Sequence, residues 1–292
     1  MKVLVTGGAG QLAHVVRQTW TGHDLVVPEE SVLDLGKEAS IHAVIKDLRP
    51  DVVLNLGAFT QVDRCETEPD LAFQINAKAV GWLAEACEAQ QAMLIQISTD
   101  YVFDGTATRP YREDDPTNPM SVYGRTKLEG ERQAARCSRH LIARTSWLYD
   151  AWGKNFLNTM LNAATQGRSL RVVDDQRGAP TTCRALARQL KIAVEQDWQG
   201  LVHMTCQGET TWYGFAKAIF EAKSITTDLH PCATADYPTP AHRPAYSVLD
   251  GTRRRTLGPD LMPHWEDALR EVMEDLASPL ILSEESMKGG PL

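Results

Sequence analysis

Lys2-Val3-Leu4-Val5-Thr6-Gly7-Gly8-Ala9-Gly10-Gln11-Leu12-Ala13 opens the chain as a β-rich apolar run, then a glycine cluster, then the start of a helical pattern. The spacing is Gly7-x-x-Gly10-x-x-Ala13. Gly7 permits a tight turn, Gly10 lets the backbone approach a pyrophosphate, and a small residue at 13 lets helix and strand pack closely. Unpaired N–H groups at the helix start, with Gln11 and Leu12 in the first turn, then bind phosphate. A glycine turn alone is weak. Here it follows the first strand and opens a helix, the context a dinucleotide site requires.

Outward from this stretch, short β-rich runs alternate with helical patterns. Strands are expected over 2–6, 24–27, 52–56, 93–98 and 141–145, with helices over 11–20, 37–48, 71–90 and 121–135. Runs nearly continuous in Val, Ile and Leu indicate strands buried on both faces, as in a parallel sheet. Repeated β-α units give an α/β fold with a Rossmann-type, doubly wound parallel sheet over residues 1–150. Beyond 150 the rhythm loosens into a smaller C-terminal part, 151–285, whose segments can interleave with the first. It carries helices over 156–165, 183–196 and 212–223, strands over 170–173 and 201–204, and loops over 174–181 and 231–244. The last ten or so residues look frayed.

Composition narrows the classes. The chain has 292 residues, 43% of them hydrophobic, enough for a large core. Thirty Lys and Arg against 38 Asp and Glu give a net charge of -8, without the basic excess of a nucleic-acid binder. The six cysteines contain no Cys-x-x-Cys pair, so no metal site is assigned, and buried free thiols in a reducing cytosol fit best. No apolar run approaches the ~20 residues of a membrane helix, and the N-terminus has no signal-peptide organisation. A soluble, cytoplasmic protein is expected.

Ligands of a doubly wound sheet sit beyond the carboxyl ends of its strands. The backbone after 55, through Ala58 and Thr60, should therefore line the cofactor, and Asp34-Leu35 is in reach of the adenine. Glu29 and Glu30 follow the second strand with no nearby Arg in sequence. An acid there favours a ribose 2′-hydroxyl and an Arg a 2′-phosphate, so the lean is slightly towards NADH or dual use, with NADPH not excluded.

Tyr123-Gly-Arg-Thr-Lys127 puts Tyr and Lys at i and i+4 of a helix, on one face. Reducing a ketone needs a proton donor at the developing alkoxide. A tyrosine has a pKa of about 10, and a nearby ammonium favours its phenolate, easing proton exchange near neutrality. Ser98-Thr99-Asp100-Tyr101 ends the fourth strand, where the Thr99 hydroxyl can hold a substrate carbonyl against Tyr123. Tyr-x-x-x-Lys alone is usually a solvated helix face. Joined to the glycine turn and Thr99, it points to a nicotinamide-dependent reductase.

These motifs resemble the dTDP-4-dehydrorhamnose reductase family of extended short-chain reductases over nearly the whole chain. They include Ala58-Phe-Thr-Gln-Val-Asp63, Ser98-Thr-Asp-Tyr-Val-Phe-Asp-Gly105, Tyr123-Gly-Arg-Thr-Lys-Leu-Glu-Gly-Glu131, Arg144-Thr-Ser-Trp-Leu-Tyr149, Asp175-Gln-Arg-Gly-Ala-Pro-Thr181 and Arg243-Pro-Ala-Tyr-Ser247. The resemblance implies a first domain binding NADPH or NADH and a second part binding a dTDP-linked 4-keto-sugar. It implies hydride transfer to the C4 ketone of dTDP-4-dehydro-L-rhamnose, giving dTDP-L-rhamnose. Thr99, Tyr123 and Lys127 carry over as the catalytic trio, with Lys127 also on the nicotinamide ribose. Thr60, Val62, Asp63, Tyr101, Trp147 and Asn155 fall where the family lines its sugar pocket. Ala13 and Gly57 depart from the usual pattern without removing a catalytic group. Some members hold Mg²⁺ through glutamates at a dimer contact. Those glutamates do not map here, so neither metal nor that dimer is transferred, although a homodimer fits the reading.

Other residues divide between site and scaffold. Trp147, at a strand end, is read as a substrate residue and Trp212 as packing. Arg177 and Arg243 are candidates to grip a diphosphate against an equal case for exposed arginines. Asp63 and Glu66 flank a helix start, where charge compensation rivals substrate binding. Arg253-Arg254-Arg255 reads as a solvated helix start. Two other functions remain beside the reductase: a reductase or epimerase of another keto-deoxysugar, and a non-catalytic cofactor-binding regulatory subunit, as in methionine adenosyltransferase.

Overall fold

Alternate residues of each central strand face opposite sides of one sheet, and each side becomes a core. The structure, a computed structural model, describes residues 1–277. The expected frayed end and the limit at 285 lie outside the described residues. The order is β1 (Lys2–Thr6), α1 (Gln11–Thr19), β2 (Asp24–Val26), α2 (Glu38–Leu48), β3 (Val52–Asn55), α3 (Val62–Thr67), α4 (Pro69–Phe73), a π turn (Gln74–Lys78) and α5 (Ala79–Gln90). Then come β4 (Met93–Thr99), α6 (Val122–Ala134), β5 (His140–Thr145), β6 (Leu148–Tyr149), α7 (Phe156–Thr165), β7 (Leu170–Val173), β8 (Arg177–Gly178), β9 (Thr181–Thr182) and α8 (Cys183–Glu195). The described chain closes with β10 (Gly200–His203), β11 (Thr210–Thr211), α9 (Trp212–Ala222), β12 (Leu229–Cys232), α10 (Thr252–Leu257) and α11 (Trp265–Ala277).

Six strands form one parallel sheet in the order β10-β5-β4-β3-β1-β2. Val3, Val5, Val52, Leu54, Met93, Ile95, Leu141 and Ala143 face a core shared with α1 and α8. Leu4, Val53, Leu94 and Ile142 face the opposite core, with Ile41 and Ile45 of α2 and Leu83 of α5. Each fully buried aliphatic side chain of this kind contributes roughly 1.5–3 kcal/mol. The expected doubly wound α/β architecture is therefore present. Its sixth strand and α8 come from beyond residue 150: the Trp20 indole N–H donates to Ala187 O at 2.9 Å, joining α1 to α8. A third core, around Phe215, Ile219, Trp265 and Leu269, packs the later helices α7, α9 and α11. All six cysteines are buried free thiols, as expected.

Several elements differ from expectation. The helix expected over 71–90 starts at Pro69 and contains the π turn. That wider turn presents Asn76, whose Oδ1 accepts from Phe59 N–H at 2.8 Å and whose Nδ2 donates to Phe59 O at 3.0 Å and to Thr126 Oγ1 at 3.1 Å. The loop expected over 174–181 carries β8 and β9, two-residue strands too short to show a period. The loop expected over 231–244 begins inside β12, which pairs with β7 in a two-stranded sheet whose edge tolerates Pro231. The arginine run is not wholly solvated. Arg254 is buried, donating to Asp260 at 2.8 and 3.0 Å and to His203 O at 2.8 Å, because one residue in three of a short helix must face inward.

Helix α6 approaches its neighbours at glycines. A Cβ added to Gly124 would lie 2.2 Å from Tyr101 O, and one on Gly130 2.2 Å from Asn76 O. Both obstacles are backbone, which cannot move aside cheaply. Gly130→Ala is therefore expected to cost about 1–3 kcal/mol and to lower the thermal midpoint by several degrees. An unchanged midpoint in calorimetry would refute this close packing.

Candidate active site

The glycine turn lies where the strand order reverses, between β1 and β3. Gly7 has φ +66°, and a Cβ there would meet Gly57 Cα at 2.6 Å. A Cβ on Gly57 would in turn meet Leu35 Cδ1 at 2.4 Å. Gly7, Gly57 and Leu35 are thus brought into contact, leaving no room for side chains at the sheet's crevice. Gly57 accordingly suits this chain's bulky Leu35. Gly10 is the N-cap of α1 and supplies no side-chain acceptor, and the first turn holds no acidic residue. The N–H groups at the start of α1 therefore keep their capacity for an anion, the arrangement a dinucleotide pyrophosphate needs.

Asp34 does not reach out from β2. Its Oδ1 accepts from Gly36 N–H at 2.8 Å, and it pairs with Lys37 at 2.9 Å; that lysine holds its carboxyl below the usual range. Ala58 and Phe59 are half-buried under the Asn76 clamp, while Thr60 and Gln61 emerge to solvent just before α3. Gln11 and Asn155 meet: Asn155 Nδ2 donates to Gln11 Oε1 at 3.2 Å and to Asp150 O at 2.8 Å. Asn155 Oδ1 also caps α7 by accepting from Asn158 N–H at 3.0 Å.

The carboxyl end of β4 gathers the expected trio. Ser121 caps α6 through Gly124 N–H at 3.1 Å, and Glu66 of α3 accepts from Val122 N–H at 2.7 Å. Glu66 thus closes the start of α6, a role the sequence reading missed because the two residues are far apart in the chain. This fixes Tyr123 and, one turn later, Lys127, whose ammonium donates to Ile97 O at 2.6 Å. Tyr123 stands edge-on to Tyr101, ring centroids 5.6 Å apart. The Thr99 hydroxyl donates to Asp100 Oδ1 at 2.9 Å and accepts from Tyr101 N–H at 3.2 Å. The same hydroxyl lies beside the Tyr123 phenol.

Burial raises the Tyr123 phenol well above its ordinary value, and the Asp100 carboxylate adds to this, while the Thr99 hydroxyl opposes it. Lys127 does not lower it in this arrangement, contrary to the expectation of an eased phenolate. Tyr123 is held as a phenol, the form a proton donor needs. Burial pushes Lys127 down to about 8, against the pull of Glu131. Glu131 is itself buried and clamped: it accepts from Arg144 Nε and Nη2, both at 2.8 Å, and from Ser98 Oγ at 2.5 Å. One carboxylate thus ties α6 to β5 and to the residue before Thr99. Its position, four residues after Lys127, was readable as the same helix face.

The remaining predicted residues flank this centre through partners. Asp63 binds Arg243 at 2.9 and 3.1 Å and Ala241 N–H at 3.1 Å, so its carboxylate holds the 237–246 loop as well as the first turn of α3. Val62, half-buried, starts that helix. Trp147, at φ +48°, stacks on Trp212 with centroids 3.6 Å apart; the residue read as site and the one read as packing form a single unit. Arg177 is exposed and pairs with Glu209 at 3.3 Å, whose other oxygen accepts from Tyr246 at 2.9 Å. No described helix is long and apolar enough to cross a membrane.

Comparison with known proteins agrees with this geometry. The family model described as RmlD substrate binding domain matches residues 1–278. A dTDP-4-dehydrorhamnose reductase of Sinorhizobium fredii is 38% identical, covering 94% of this chain and 97% of the relative. The crystal structure of a Clostridium acetobutylicum dTDP-4-dehydrorhamnose reductase has a TM-score of 0.93 at 38% identity, covering 95% of this chain and 100% of that one. That of the Bacillus anthracis dTDP-4-dehydrorhamnose reductase in complex with NADP has a TM-score of 0.91 at 31% identity, covering 94% and 99%.

Asp100 supplies a test independent of activity. It is fully buried, its Oδ2 has no hydrogen-bond partner, and burial pushes it from 3.8 up to about 6. At Asp100 the folded state then binds more protons than the unfolded one, so this residue's contribution to stability is greatest below about 4 and is lost as pH rises through 6. Asp100→Asn is expected to remove this loss, gaining on the order of 2–3 kcal/mol at pH ~8 relative to pH ~4. Denaturant titrations in which wild type and variant share one pH dependence would exclude a raised Asp100.

Proposed function

The chain belongs to the RmlD substrate binding domain family, that of the dTDP-4-dehydrorhamnose reductases, and on that footing we propose that it reduces the C4 ketone of dTDP-4-dehydro-L-rhamnose to dTDP-L-rhamnose with NADPH or NADH. The supporting observation is the convergence of Tyr123, Thr99 and Lys127 at the end of β4, at the same carboxyl end of the sheet as the open start of α1. The side-chain-free contact of Gly7 with Gly57 and the uncapped helix fit a dinucleotide. When bound, the nicotinamide supplies the hydride.

Tyr123 donates its phenolic proton to the carbonyl oxygen as that oxygen gains charge. Thr99, hydrogen-bonded to Asp100, stands beside the phenol and aims it. Lys127 contributes a positive charge beside the forming alkoxide and holds the nicotinamide ribose. Glu131 and Arg144 keep α6 in register with β4 and β5. Residues 1–150 provide the cofactor site, with backbone from Gly10, Gln11, Leu12, Ala58 and Thr60, and 151–285 contribute mainly to the nucleotide-sugar site. Tyr101, Val62 and Trp147 line the sugar, while Asp63, Asn155 and Arg177 act together with Arg243, the α7 cap and Glu209. A cytoplasmic location and a homodimer are compatible with this assignment.

The assay is nicotinamide oxidation with enzymatically generated dTDP-4-dehydrorhamnose. Substrate-dependent oxidation is expected; none from a folded protein that binds the cofactor would refute the substrate. Tyr123→Phe should lose about 10²–10⁴-fold in turnover while binding the cofactor as wild type does. Near-normal turnover in that variant would sink the proton-donor role.

Lys127 predicts a pH limb. Its ammonium is complete below about 8 and is lost as pH rises through that value. With Tyr123 still protonated there, turnover should decline above pH ~8. A flat profile to pH ~10, near the ordinary lysine pKa, would show that the charge on Lys127 is not needed.

A further inference from the structure

Arg17 lies on α1, near its carboxyl end, remote in sequence from the acids after β2. The fold nevertheless carries its guanidinium back over the glycine turn. A Cβ added to Gly8 would lie 2.9 Å from Arg17 Nη2, 2.7 Å from Val27 Cγ1 and 3.7 Å from Pro28 O. The guanidinium therefore sits beside Gly8, where the chain leaves β2. The first lysine after β2 is occupied: Lys37 closes on Asp34. Arg17 is exposed and forms no ion pair among the described residues.

The acids that suggested a ribose hydroxyl do not occupy this spot. Glu29 and Glu30 are exposed, and Glu29 takes part through its main-chain oxygen, which accepts from Val32 and Leu33 N–H. In a doubly wound sheet the adenosine ribose lies over the end of the second strand, next to the glycine turn. A planar guanidinium with uncommitted N–H groups matches the oxygens of a phosphate in paired hydrogen bonds.

We propose that Arg17, presented over Gly8 at the end of β2, reads the 2′-phosphate of the adenosine ribose and makes NADPH the preferred cofactor. The absence of a side chain at Gly8 is what admits the guanidinium. Glu29 and Glu30 add a repulsive field that Arg17 offsets, so removing Arg17 should leave a site favouring NADH. This rests on the dinucleotide reading of the glycine turn.

The test is calorimetric binding of NADPH, NADH, 2′,5′-ADP and 5′-ADP to the full chain and to Arg17→Ala, whose exposed position poses little risk to folding. The wild type is expected to bind each 2′-phosphorylated ligand about ten-fold or more tightly than its counterpart. Arg17→Ala should lose that margin and keep its NADH affinity within about two-fold. Arg17→Lys should retain only part of it, because an ammonium lacks the fork. Equal wild-type affinities for NADPH and NADH, or a variant weakened equally towards both, would overturn the role of Arg17 while leaving the dinucleotide site intact. Binding of none of the four ligands would instead remove the dinucleotide site itself, and the proposal with it.

Discussion

Helix α6 lies so near the end of β4 and the π turn that two of its residues have no room for a Cβ. Gly124 faces Tyr101 O, and Gly130 faces Asn76 O. Much else depends on this approach. It brings Tyr123 against Thr99, lets Lys127 reach Ile97 O, and buries Glu131 where Arg144 and Ser98 converge. Asn76 serves both sides of the contact, since the residue whose carbonyl meets Gly130 also clamps Phe59 after β3. The loop after β3 and helix α6 therefore rest on one widened turn.

Seating a helix this closely takes its polar groups out of water. Burial disfavours the charged forms of Tyr123, Asp100 and Lys127 together, raising the acids and lowering the base. The site thus keeps a neutral phenol by desolvation. Glu131, in the same region, accepts two parallel hydrogen bonds from Arg144. Two adjoining buried carboxyls differ accordingly: one has a guanidinium, the other only hydroxyls and an unpartnered oxygen.

What the sequence made legible was local. The strand–glycine–helix order of residues 2–13 and the one-face spacing of Tyr123 and Lys127 follow from backbone periods of two and 3.6, and both describe the structure. The sequence could not disclose which charges meet across the chain. Asp63 finds Arg243 and Glu66 finds the start of α6 only after folding. Arg17 comes back to Gly8 because a long helical side chain leans towards the start of its helix, whereas scanning the residues after β2 finds only acids. Asp34 shows the reverse case, a well-placed carboxylate used up by its own turn. The π turn is hidden for another reason: its residues suit an ordinary helix, and the tertiary hold on Asn76 widens it.

The sixth strand has a consequence for how the protein is made. Until residues 183–204 leave the ribosome, β5 is an open sheet edge, and the buried face of α1, Trp20 included, has no α8 to cover it. The first half of the nascent chain is thus an unfinished sheet that must wait through the synthesis of α7 and three short strands. Such an intermediate offers an unpaired edge and an apolar surface to any neighbour. Residues 1–150, which look self-sufficient in sequence, are completed only by β10 and α8.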